Sequence, residues 1–151
     1  MSTRAPDAGQ EMLLAAYPAG FLSGQIIASQ LFASSAFAYA TQLFAYSDTS
    51  HVDLFSIGGS IESQAGSSGG AVVRLDGTLA GIIATATLAQ STGQRDLRAI
   101  TVDYINRDLI AAGKGGLSSL LSGDLSVKAD DFNKNVAPGE TAALEAALNS
   151  K

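Results

Sequence analysis

An all-β domain, a barrel or sandwich of short antiparallel strands closed by a helix, is predicted from three observations. Short β-branched or aromatic runs, each bounded by Gly, Pro, Asp or Ser, recur between Glu11 and Thr101. The pair Asp76-Gly77 between two apolar runs marks a two-residue hairpin. Between Val52 and Thr101 no helical pattern is available to carry the crossovers of a parallel sheet.

Taken in order, EMLLAAY (Glu11 to Tyr17) is a buried strand stopped by Pro18 and Gly20. QIIASQLFAS (Gln25 to Ser34) and AFAYATQLFAYS (Ala36 to Ser47) alternate in part and fit strands with one buried face; for the alanine-rich second segment helix stays open. The turn SDTSH leads into the strand Val52 to Ile57, and Gly58-Gly59 bends the chain away. Ala71 to Leu75 and Thr78 to Thr87 are the two arms of the hairpin, and LRAIT (Leu97 to Thr101) is a short strand. From Val102 to Ala112, Tyr104, Ile105, Leu109 and Ile110 fall at helical spacing, with Gly113 placed to end the helix. Leu117 to Asn135 is only weakly periodic, and Pro138 to Leu148 is a short helix with Leu144 and Leu148 on one face. The expected division is an extension over 1–10, the barrel and its helix over 11–113, and a partly helical tail over 114–151.

Composition narrows the partners. The chain has 151 residues, 46% of them apolar, enough for one domain with its own core. Its net charge of −5 disfavours nucleic acid and anionic lipid as partners. Cysteine is absent, which excludes disulfides and thiol catalysis. The opening MSTRAPDAGQEM lacks an apolar core behind basic residues and does not look like a secretory signal. Ile26 to Tyr46 is uncharged and long enough to span a bilayer, but Ser29, Gln30, Ser34, Ser35, Thr41 and Gln42 interrupt it and no basic cluster flanks it. Buried strands, and no membrane, are therefore expected.

The chemistry concentrates in QAGSSGGAVV, Gln64 to Val73. Gly66-Ser67-Ser68-Gly69-Gly70 matches the G-x-S-x-G elbow of α/β-hydrolases, but an elbow joins a strand to a helix and precedes its histidine. Here a strand and a hairpin follow, and His51 comes first. In isolation, serine among glycines is most often a flexible linker. Followed in order by an apolar strand, a DG turn, LAGIIATAT and a closing helix, GSSGGAV resembles instead the second barrel of trypsin-like serine peptidases of bacterial type, with their G-D/N-S-G-G-P signature. The resemblance runs from the YPAG turn at Tyr17 to about Ile110, with Ala71 standing where the signature has proline.

That resemblance implies an antiparallel β-barrel forming the second half of a double barrel, peptide-bond hydrolysis through an acyl-enzyme on Ser68, a polypeptide substrate and no cofactor. Gly66 and Ser68 would offer backbone N–H groups to the oxyanion, for which a tight glycine turn is suited because no Cβ obstructs the aim. Ala84, Thr85 and Ala86 would line the pocket for the residue before the scissile bond. Glu62 would lie at its base and favour a basic side chain, or be an ordinary solvated loop charge.

A serine hydroxyl needs a base. The family's histidine and aspartate belong to a first barrel, and only sixteen residues precede Tyr17. The chain is therefore expected to be a peptidase fragment, inactive alone and completed by the missing N-terminal barrel. The alternative is a non-catalytic remnant that binds peptides or partners, its uncovered apolar face closed by a homodimer. His51, near Asp48 and Asp53, is the one histidine and more simply an exposed loop residue than a base. No metal cluster is expected, and Gly113-Lys114 lacks the rest of a phosphate loop.

Overall fold

Along Glu11–Ala16 every second side chain is buried, Met12, Leu14 and Ala16 facing inward. The computed structural model, which describes residues 3–18, 33–46, 51–60, 62–86 and 94–150, shows why: this segment is one stave of a closed antiparallel barrel. Its strands are β1 (Glu11–Ala16), β2 (Ser34–Phe44), β3 (Leu54–Ile57), β4 (Ala71–Arg74), β5 (Leu79–Ala86) and β6 (Leu97–Thr101). Around the barrel they run β1-β2-β3-β6-β5-β4, with β4 returning to β1. The architecture is the barrel of the two alternatives, and the alanine-rich segment left open to helix is β2. The strand expected at Gln25 to Ser34 falls mostly outside the described residues.

Strands β1 to β3 are sequential neighbours and β4 lies beside β1, the arrangement of a Greek key. It sets β3 and β4 on opposite sides of the barrel. The connection from Gly58 to Gly70 therefore joins opposite sides of the barrel at one end, and Glu62, Ser63 and Ser67 within it are buried although all three are polar.

The core holds Met12, Leu14, Phe55, Ile57, Val72, Ile83 and Leu97, with Ala38, Ala40, Ala80 and Ala99 keeping the interior narrow. Phe55 fits because Gly81 faces it: a Cβ there would lie 2.8 Å from the ring and 2.5 Å from the Ile100 carbonyl oxygen. Helix α1 (Val102–Ala111) follows β6 directly. Thr101 makes the junction, its hydroxyl accepting from the Tyr104 N–H at 3.1 Å and donating to the Val52 carbonyl at 2.8 Å.

The tail holds α2 (Gly116–Leu120), α3 (Leu125–Asn135) and α4 (Ala137–Asn149). Weak periodicity over Leu117 to Asn135 concealed two of these helices. Asp124 starts α3 as a cap, accepting from the N–H groups of Ser126 and Val127 at 2.8 and 3.4 Å. Among the described residues no helix is long and apolar enough to cross a membrane.

Candidate active site

At one end of the barrel β1, β3 and β5 finish while β2, β4 and β6 begin. The glycine-serine turn sits there. Gly66 and Gly69 have φ of +93° and +87°, the left-handed region that favours glycine. Gly70 is required for a different reason, since a Cβ on it would fall 2.7 Å from the Ala16 Cβ and 2.8 Å from the Ala15 carbonyl oxygen. The turn is laced to β5 by two bonds of 2.8 Å, from the Gly69 N–H to the Ile83 carbonyl and from the Ile83 N–H to the Gly70 carbonyl.

Ser68 is exposed at the tip of this turn. Its hydroxyl donates to the Ala84 carbonyl at 3.3 Å. That carbonyl is offered where the β5–β6 register shifts between Ile83 and Thr85, an irregularity of the kind that re-aims backbone groups beside sites. Among the described residues neither the Gly66 nor the Ser68 N–H donates a hydrogen bond within the protein. A cavity of about 390 Å³ lies against Gly66, Ser68 and Gly70 on one side and Ala15, Ala16 and Tyr17 on the other. It opens on the β1 side of Ser68, whereas Ala84 is on the β5 side. Thr85 and Ala86 continue β5 opposite Arg98 and Leu97.

Beneath the turn, the crossover carries a carboxylate. Glu62 is fully buried, so it is not a solvated loop charge. Its Oε1 accepts from the Ser34 hydroxyl at 3.1 Å and its Oε2 from the Ser60 hydroxyl at 2.9 Å. Arg95 holds the same segment from the β6 side, its Nη1 donating at 2.8 Å to both the Ser63 carbonyl and Gln64 Oε1. Ser34, Ser60 and Arg95 carry no motif, and only the topology gathers them.

His51 is at the other end of the barrel, before β3 and beside the start of α1. Its Nδ1 lies 3.3 Å from Asp103 Oδ2, and its side chain is about half exposed. Asp103 also accepts from Arg107 Nε at 2.9 Å, and Arg107 reaches on to the buried Asp53. Burial pushes the Asp53 carboxyl up, but the Tyr46 N–H and the Arg107 guanidinium outweigh it and hold the group below the usual carboxylate range. Arg107 is correspondingly raised, by its bond to Asp103 first and against its own burial. Asp48, the other neighbour considered for His51, lies outside the described residues. This cluster ties α1 to β3 and does not meet Ser68.

No group of three or more His, Asp or Glu among the described residues could hold a metal ion. Compared with known families and curated proteins, the chain matches no family model and no curated sequence.

Proposed function

We propose that Ser68 is the nucleophile of a serine-peptidase-type site carried on this barrel end. The observation that carries the proposal is the tip of the glycine turn: an exposed hydroxyl flanked by two unengaged N–H groups, at the edge of a cavity able to take a peptide side chain. The resemblance to the second barrel of trypsin-like peptidases supports the same assignment, through the turn, the DG hairpin and the closing helix in that order. In the reaction, Ser68 Oγ bonds to the scissile carbonyl carbon and gives its proton to a base. The Gly66 and Ser68 N–H groups hold the negative oxygen, and the amine leaves with a proton returned by that base.

The sequence contains one histidine, and the barrel separates it from Ser68. An imidazole base would therefore come from outside these 151 residues. The separation also favours a second reading, a peptide-binding barrel that uses the cavity without chemistry. Fluorophosphonate labelling distinguishes them. Under the proposal the chain labels slowly at Ser68, added imidazole accelerates the reaction, and Ser68→Ala abolishes it. Absence of Ser68-dependent labelling in imidazole would leave the binding reading.

A further inference from the structure

Side-chain size falls along the outer face of the barrel toward Ser68. Met12, Leu14 and Val72 belong to the core, so their neighbours Leu13, Ala15, Ala71 and Val73 point outward from β1 and β4. Leu13 pairs with Val73, and one step nearer the glycine turn Ala15 pairs with Ala71. On the β2 side Leu13 meets the exposed Phe37, whereas Ala15 meets Ser35. The apolar face is thus cut back at the two alanines, and the cavity beside Ser68 lies against both. Its volume of about 390 Å³ leaves room for a leucine or phenylalanine side chain.

The cavity is also without charge. Of its described lining residues only Tyr17 and Ser68 have polar side chains, and none is Asp, Glu, Lys, Arg or His. None of those five residue types occurs from Met12 to Tyr46, or from Ser63 to Val73. The flanking charges are turned elsewhere: Glu62 is buried on the hydroxyls of Ser34 and Ser60, and Arg74 is buried and donates to the Arg4 carbonyl. An ammonium or carboxylate seated in the cavity would lose water and gain no opposite charge, whereas an apolar side chain gains by leaving water.

We infer that this cavity selects a large apolar side chain, with Ala15 and Ala71 setting its size, given the peptide across Ser68 that the proposed function requires. That preference differs from the basic one that the resemblance attaches to Glu62, and it belongs to the β1 side of Ser68, not to Ala84, Thr85 and Ala86.

Carbon-13 methyl spectra of the alanine-labelled full chain, titrated with blocked tripeptides acetyl-Ala-X-Ala-amide, test this. With X leucine, saturable shifts of the Ala15 and Ala71 methyls are expected, at a dissociation constant at least about tenfold below those for X lysine or glutamate. Ala71→Asp should tighten the lysine peptide and weaken the leucine one. The native order of peptides should persist in Ser68→Ala, because the lining sets it and the hydroxyl does not. A chain that keeps this order without Ser68-dependent fluorophosphonate labelling would therefore lose the nucleophile and retain the apolar site. Equal affinity for the leucine and lysine peptides in the native chain, leucine shifts that miss both methyls, or an Ala71→Asp chain folded by its methyl spectrum yet no tighter for lysine would overturn the inference.

Discussion

A single methyl group distinguishes the roles of the glycines around Ser68. At Gly70 it would collide with Ala16 and the Ala15 carbonyl, so Gly70→Ala is expected to cost about 1–3 kcal/mol through overpacking, read as a lower urea midpoint. At Gly69 the same methyl meets open space, but the φ of +87° remains, and Gly69→Ala is expected to cost about 1–2 kcal/mol through backbone strain alone. Crystal structures of both variants would separate a displaced β1 in the first from an unmoved one in the second. Glu62 follows another logic. Its two oxygens are satisfied by Ser34 and Ser60, so Glu62→Leu leaves two half-buried hydroxyls without their acceptors, whereas Glu62→Gln keeps one amide oxygen for them. The leucine variant should unfold at lower urea than the glutamine variant; equal midpoints would show that the hydroxyl bonds do not matter.

At the scale of elements, the serine turn, the DG hairpin and α1 were legible because their signals are local: glycine at positive φ, an Asp-Gly pair between apolar runs, apolar positions at helical spacing. The hairpin loop itself is one residue longer than the expected two, Leu75 to Gly77, closed by the Arg74 N–H on the Thr78 carbonyl and the Gly77 N–H on the Arg74 carbonyl. The burial of Glu62 was not legible. It goes with β3 and β4 standing on opposite sides of the barrel, joined by the Gly58–Gly70 connection, and no residue within that connection announces the strand order. Nor was the separation of Ser68 from His51 visible, since only the antiparallel order assigns each to an end. The helices between Leu117 and Asn135 escaped because the first is a single short turn against α1 and the second leaves its apolar residues exposed, so no broad amphipathic face betrays them. The α1 junction gives an element-scale prediction. Thr101→Val removes the hydroxyl that both caps α1 and bonds the Val52 carbonyl, and a loss of about 1–2 kcal/mol is expected in denaturant unfolding.

The whole molecule has two unlike ends: a glycine-lined end carrying Ser68, and an ionic seam of Asp53, Asp103 and Arg107 between α1 and the start of β3. The seam links fold stability to acid. Since the folded Asp53 carboxyl titrates below its unfolded value near 4, its contribution is present above about pH 4 and lost as pH falls through the folded value. Urea midpoints measured from pH 6 down to pH 2.5 should therefore drop less steeply for Asp53→Asn than for the native chain. The glycine-lined end bears the central claim, that Ser68 and two backbone donors form a place for a tetrahedral adduct. Boron-11 NMR of a peptide boronate mixed with the chain tests that without needing a base. A tetrahedral signal that disappears in Ser68→Ala is expected; a boronate that stays trigonal, or a signal unchanged by Ser68→Ala, would contradict it.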